Sequence, residues 1–314
     1  MLRYLRARIL ALLLILIIMS VIVFSFLHLT PGDPVEAMLG TEVDQATKAG
    51  LRQALGLDRP LFVQYAVWIG RAARGDLGSS IRTHERVSAI LGEKLPVTLE
   101  LTVAASLVGL IIALPAGVLA AVRRNSAIDL GAMGIALAGV SIPSFSLGVM
   151  LILLFALHWR WLPSIGYVSL LRDPVGALRH LVLPAVTLGL GLAGALTRMV
   201  RSGVLEELGQ DYVRTAKAKG LSFPSVINRH VLRNALLPAL TVLGVQVSVL
   251  LGGAVITEQI FAWPGVGQLA VQAVQSRDYP LLQGTILMIA VLATVVQLGV
   301  DIGYALMDPR IRFA

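Results

Sequence analysis

The chain has 314 residues, of which 56% are hydrophobic and only 14% charged, with a mean hydropathy of +0.81. Soluble domains carry about 25% charged residues, so this composition excludes a water-soluble globule: the apolar surplus must face lipid or other membrane helices. The net charge of +8 does not point to nucleic acid, because the charges lie between and beside the long apolar runs rather than in a binding patch.

Taken in chain order, Arg3, Arg6 and Arg8 precede an apolar run over 9–27. That run exceeds the about 7–15 residues of a signal-peptide core and has no small-residue cleavage site after it, so it reads as an uncleaved first helix, 9–29. A spanning helix needs about 20 mostly apolar residues, and by that measure further helices are predicted at 97–121, 131–156, 181–200, 236–257 and 281–306. In lipid every backbone group must be paired within the segment, so these runs are helices rather than strands. The predicted fold class is an all-α membrane protein of about six transmembrane helices. It divides into a tail and first helix (1–29), a small outer-face insertion (30–95) and a five-helix core (96–314) that contains a cytoplasmic loop at 201–238.

Lys and Arg in the short loops set the orientation. Placing both termini in the cytoplasm puts Arg123, Arg124, Arg201, Arg214, Lys217, Lys219, Arg229, Arg233, Arg310 and Arg312 on the same side as the basic N-terminus. The segment 30–95 carries eight basic and eight acidic residues, and long loops cross largely regardless of charge. The segment 157–180 is the exception: Arg160, Arg172 and Arg179 fall on the outer side. Its Trp159, Trp161 and Tyr167 suit the headgroup level, where amphipathic rings collect.

The loop 201–238 has acids early (Glu206, Glu207, Asp211) and bases late (Arg214, Lys217, Lys219), which complements a helix dipole. Gly220 stands where a C-terminal capping glycine belongs, and Ser222 with Pro224 resembles the start of a second helix. Two short helices joined by a tight turn are predicted, presented to the cytoplasm. Two uses fit the pattern: a rigid knob for another protein's groove, or an amphipathic pair lying on anionic lipid.

Charges within membrane helices cost about 2.5–3.5 kcal/mol each on insertion scales, which singles out Glu100, Arg198, Glu258 and Asp301. Glu100 and Arg198 lie near helix ends and reach the interface. Glu258, near Phe261, Trp263 and Pro264, reads either as part of an outer gate or as an interfacial cap. Asp301 reads as a structural acid paired with a neighbouring helix. Gly244, Gly252 and Gly253 allow close helix approach, and Ser141 to Ser146, which includes Pro143, reads as a kink. No cysteine occurs, so there is no disulfide, thiolate or Cys-ligated metal. No G-x-x-x-x-G-K-[ST], H-E-x-x-H or G-x-S-x-G pattern is present either. The residue patterns alone leave an ion-coupled secondary transporter and a membrane enzyme as alternatives; the former calls for midplane ionisable residues and broken repeats, the latter for a nucleophile and base within apolar helices.

The stretch from Tyr212 through Leu221 (Tyr-Val-Arg-Thr-Ala-Lys-Ala-Lys-Gly-Leu), followed by Arg233-Asn234-Ala235-Leu236-Leu237-Pro238, resembles the EAA loop of ABC importer permeases. Arg214 and Thr215 stand where Glu and Ala are usual, and the spacing from Gly220 to Pro238 is long; both departures resemble the dipeptide/oligopeptide branch. Thr30-Pro31-Gly32-Asp33-Pro34, Leu55-Gly56-Leu57-Asp58-Arg59-Pro60, Gly75 to Ser80, Glu258 to Gly267, Arg277-Asp278-Tyr279-Pro280 and Asp301 to Arg310 resemble the same branch, in order along nearly the whole chain. The resemblance is to its first permease subunit. It implies the type I importer permease fold and a coupling loop in which Tyr212, Arg214, Thr215, Ala216, Lys217, Gly220 and Leu221 meet an ATPase. It also implies a second homologous permease, two ATPase subunits that bind the ATP and Mg, an extracytoplasmic solute-binding protein, and a bacterial or archaeal cytoplasmic membrane. The resemblance implies no cofactor or metal in this chain.

Overall fold

The computed structural model describes residues 2–29, 44–54 and 58–307. The stretches Thr30 to Pro34 and Leu55 to Leu57, and the Asp308 to Arg310 end of the last motif, lie outside the described residues. Among the described residues thirteen helical elements follow in order: α1 (Leu2–Leu29), α2 (Gln45–Ala54), α3 (Leu61–Ala72), α4 (Val87–Val122), α5 (Ala127–Ser141), α6 (Ser144–Leu151, continued as a π-helical turn over Ile152–His158), α7 (Pro174–Leu208), α8 (Asp211–Ala218), α9 (Phe223–Ala235, π-helical over Ile227–Val231), α10 (Leu237–Gly253), α11 (Val255–Ile260), α12 (Val266–Gln275) and α13 (Tyr279–Met307). Extended backbone pairing is confined, among the described residues, to one bridge between Ser79 and Arg86.

α1, α4, α7 and α13 are long and apolar enough to cross a membrane, and two bent pairs, α5 with α6 and α9 with α10, pass the same test together. The predicted third helix, 131–156, is not continuous: α5 and α6 meet at a 102° bend. Pro143 causes it, because its ring disfavours the helical conformation at the residue before it; Ile142 is extended at φ −80°, ψ 122°. The predicted fourth helix, 181–200, is far longer in the structure, at 35 residues. Its start is fixed by the Asp173 carboxylate, which accepts from Gly176 N–H (3.0 Å), with Pro174 in the first turn. α4 begins at Val87, so residues 87–95, predicted as part of an outer-face insertion, are the first turns of a long apolar helix.

The most extensive pairing joins α4 and α7. The two run parallel, and small residues set their separation: a Cβ on Gly109 would collide with Leu192 Cδ2, one on Gly117 would lie 2.8 Å from Val200, and one on Gly189 2.7 Å from Val108. α5 crosses α7 antiparallel and just as closely, with a Cβ on Gly194 running into the Ala136 carbonyl oxygen. α10 and α13 pack antiparallel through Gly244 against Val300 and Gly303 against Leu240. α1 joins this layer through Arg8, which pairs with the buried Asp301 at 3.4 Å. Its other half carries α3: Ser20 hydrogen-bonds the Tyr65 hydroxyl (2.8 Å), and Phe24 meets Tyr65 edge-on at 5.5 Å.

Because the Ala136 carbonyl is backbone, it cannot rotate away from an added methyl. Gly194→Ala is expected to destabilise the purified chain by about 1–3 kcal/mol through overpacking. Gly131→Ala, on α5 where a Cβ meets nothing within 4 Å, is expected to be neutral or up to ~1 kcal/mol stabilising. Thermal unfolding of the two variants in detergent checks the contrast.

Candidate functional site

Two candidate sites stand out, one at each end of the bundle. At its C-terminal end α7 stops at Leu208, turns through Gly209 and Gln210, and continues as α8 and then α9. α8 closes with a capped turn: Leu221 N–H donates to Ala216 O (3.3 Å) and Gly220 N–H to Lys217 O (2.9 Å). This pair of bonds requires a left-handed residue at 220, and Gly220 has φ +80°. α9 starts after Ser222, which caps with its backbone only, and carries Pro224 in its first turn.

The inner side of this helical pair is occupied. Val213 and Ala216 of α8 and Val226, Ile227, Val231 and Ala235 of α9 are buried in one cluster with Leu196, Val200 and Val204 of α7 and Ala113 and Ala121 of α4. A Cβ on Gly203 would run into the Ala235 carbonyl oxygen, so α9 sits directly on the α7 backbone. The pair therefore does not lay its apolar face on lipid: that face is spent on the protein's own core. Polar bonds fix it further. The Tyr212 hydroxyl donates to Glu207, with the Asn234 amide at 3.5 Å from both groups, and Arg233 Nε donates to Met307 O at the end of α13 (3.1 Å). Partial desolvation of the hydroxyl, with the Glu207 bond second, pushes the Tyr212 side chain up to about 12. Tyr212, Arg214, Thr215, Lys217, Gly220 and Leu221 remain exposed on the outer surface, and Ala216 is turned inward. Lys217 Nζ sits 5.4 Å over the Phe223 ring.

Sequence reading missed the pair that ties α5 to this end of α7. Arg201 Nε donates to Asp129 Oδ1 (2.6 Å) and its Nη2 to Oδ2 (2.7 Å), while Asn125 N–H holds the same carboxylate at 2.9 Å. The partners are far apart in sequence. The only local signal was Ser126, whose hydroxyl accepts from Asp129 N–H as a helix cap.

At the opposite end of the bundle, Glu258 is not an interfacial cap. It is fully buried, as are Phe261 and Trp263. Thr98 Oγ1 donates to Glu258 Oε1 (3.0 Å) and accepts from Val266 N–H (2.8 Å); Gln268 N–H donates to Glu258 Oε2 (2.7 Å). The carboxylate thus caps α12 from below, where the helix dipole favours a negative charge. Gly265 and Gly267 make room for it, since a Cβ at 265 would collide with Glu258 Oε1. Trp263 Nε1 donates to Val97 O (2.9 Å) and meets Tyr167 edge-on at 4.9 Å, while Gly166 N–H donates to Phe261 O (2.8 Å). Nearby, Asp278 accepts from Ser80 Oγ and from Ile81 N–H (3.2 Å), fastening the segment before α4 to the start of α13. The stretch from Glu258 to Gly267 is a packed joint between α4, α11 and α12 in this conformation, with Pro264 partly exposed at its edge.

Midway between the two sites a cavity of about 190 Å³ lies among α6, α7 and α10, lined by Ser144, Leu188, Gly191, Leu192, Gln246, Val249 and Leu250. Among the described residues no three His, Cys, Asp or Glu side chains gather in a metal-binding group.

Residues 113–313 match the family described as binding-protein-dependent transport system inner membrane component, and residues 1–102 match the N-terminal region of the same membrane component. The chain belongs to this family. It is similar to a di/tripeptide transport system permease protein, DppB, of Pseudomonas aeruginosa, 45% identical over 93% of this chain and 94% of that protein. A dipeptide transport system permease protein of Alkalihalophilus pseudofirmus is 40% identical over the full length of both. Among solved structures it resembles the inward-facing MetNI methionine ABC transporter, with TM-score 0.56 and 21% identity over 70% of this chain and 96% of that one. The chain is thus a multi-pass inner-membrane permease component with the type I ABC importer permease fold, and the ion-coupled alternative has no support.

Burial raises the Glu258 carboxyl above the ordinary carboxylate range, with the bonds from Gln268, Thr98 and Gly267 opposing. Its folded form therefore holds the proton more tightly than its unfolded form, so its stability contribution is full at low pH and declines as pH rises from about 4.5 through the raised value. Glu258→Gln is expected to flatten this part of the profile. Unfolding midpoints against pH for the two chains provide the check; parallel profiles would contradict it.

Proposed function

We propose that the chain is one of two homologous transmembrane subunits of an importer for di- or oligopeptides, driven by two ATPases on the cytoplasmic side and loaded by an outer solute-binding protein. One observation supports the coupling role above the rest: the α8–α9 pair buries its apolar face in the α4–α7 core while a polar, basic surface stays exposed. A connection between membrane helices needs only a few residues; a rigid pair fused to the core is suited to receive force. The exposed Leu221 and Phe223, flanked by Lys217 and Lys219, supply an apolar contact with a cationic rim for a groove on the ATPase. Both termini lie with this pair in the cytoplasm. The peptide reading draws on the relatives' names and on the motif order along the chain. The cavity beside the bend at Pro143, uncharged and lined by Ser144 and the Gln246 amide, borders the passage.

In this scheme ATP-driven closure of the ATPases moves α8–α9 as a rigid body and, through α7, switches the passage between inward- and outward-facing forms. Gly220→Val tests it. The position has open space around it, so the cost of a β-branched residue comes from the left-handed backbone, roughly 1–2 kcal/mol, and from the side chain projecting toward the partner. In proteoliposomes of the whole complex, this variant is expected to insert normally, hydrolyse ATP and lose most peptide uptake. Gln246→Leu is expected to slow uptake with coupling at the ATPases intact. Normal transport by Gly220→Val would defeat the coupling role, and a wild-type complex that ignores peptides would defeat the cargo assignment.

A further inference from the structure

The arginines of 157–180 run against the charge asymmetry of the other short loops, and the transport scheme gives them no task. The structure gathers two of them. Arg160 and Arg179 line, with Leu162, Pro163, Gly176 and His180, a concavity of about 320 Å³ at the start of α7. Arg160 holds a left-handed backbone at φ 54°, uncommon for a residue with a side chain. Arg179 Nη2 donates to Trp161 O (3.1 Å), which braces its guanidinium over the pocket, and His180 Nδ1 is bonded to Gly176 O (2.8 Å). The nearby Asp173 carboxylate accepts from Gly176 N–H at the α7 N-terminus, and the two guanidiniums of the lining outnumber it.

Its surroundings are apolar and exposed. Trp159 and Trp161 stack at 4.6 Å and are 41% and 60% exposed; Leu171 is 97% exposed and Val175 70%. Leu178 and Val182 continue an exposed stripe from Val175 along α7, at the three- and four-residue spacing that keeps them on one face. The depth agrees. Arg198, the next charged residue on α7, lies nineteen positions after Arg179, or ~28 Å at 1.5 Å per residue, against a hydrocarbon thickness of ~30 Å. Arg179 therefore stands at the headgroup level of the leaflet opposite the α8–α9 pair.

From this juxtaposition we infer that the concavity binds the phosphate of an anionic phospholipid, with Arg160 and Arg179 as its ligands and the acyl chains lying along the Val175–Leu178–Val182 stripe. Guanidinium groups are suited to phosphate oxygens, and basic pockets between membrane helices hold such headgroups. A polar anion alone would leave the adjoining apolar stripe unused; an uncharged lipid would bring no negative charge to the two guanidiniums. The site also accounts for two of the three outward arginines of the segment, Arg160 and Arg179, since their charge is answered by lipid there.

The test uses the delipidated full chain in detergent, incubated with phosphatidylglycerol or phosphatidylcholine, with retained lipid counted by native mass spectrometry. The wild type is expected to retain phosphatidylglycerol preferentially. Arg160→Gln and Arg179→Gln are each expected to lower that preference about fivefold, and Arg172→Gln, outside the concavity, to leave it unchanged. No preference in the wild type, or full preference in both pocket variants, overturns the site. Equal loss in Arg172→Gln overturns it in favour of diffuse charge. Complete displacement of the lipid by millimolar inorganic phosphate overturns it in favour of a free anion.

Discussion

The parallel contact between α4 and α7 is the constraint on which the rest of the structure depends. Without a hydrophobic drive between helices in lipid, association rests on close packing, and here Gly109, Gly117 and Gly189 bring two backbones within reach of side chains that any Cβ would strike. The contact runs most of the membrane thickness, so the two helices act as one stiff post. α5 locks against it through Gly194 and the Asp129–Arg201 pair. The α8–α9 pair and the Glu258 joint hang from opposite ends of this post.

At one end the post's core continues without interruption into the underside of α8 and α9. At the other, Val97 and Leu101 of α4 share a cluster with Leu181, Ala185 and Leu188 of α7 and with Trp263, while Val87 and Leu91 pack with Val266, Leu269 and Leu281. Packed side chains, rather than loops, thus line the post from the helical pair to the joint around Trp263. Interiors packed this way are bistable rather than continuously deformable, which is what alternating access demands of a permease.

Composition and run length made the membrane class and the long apolar helices legible, because lipid imposes a long apolar signature that no local detail can hide. The capped turn at Gly220 was legible for a similar reason: a left-handed position selects glycine directly. What stayed hidden depended on partners distant in sequence. α7 outran its apolar stretch because Arg201 is neutralised by Asp129 and because Asp173 starts the helix well before the apolar run. Glu258 read as either an outer-gate residue or an interfacial cap because nothing local reveals Thr98 and the α12 N-terminus closing over it. The break at Pro143 showed in the sequence as a kink, but its size reflects packing of both arms on α7. The Tyr212–Glu207–Asn234 contacts were equally invisible until α9 was folded back onto α7.

The central claim is that α8–α9 and the end of α7 form one rigid body. The chain has no cysteine, so Arg198→Cys with Arg229→Cys permits spin labels on α7 and α9 in the assembled complex, and their separation can be measured by pulsed electron resonance with and without ATP. A separation constant within ~2 Å between the two states, the scale of ordinary helix shifts, is the predicted result. A change near ~5 Å, the scale of a one-turn slip, would place a hinge at Gly209–Gln210 and contradict the account.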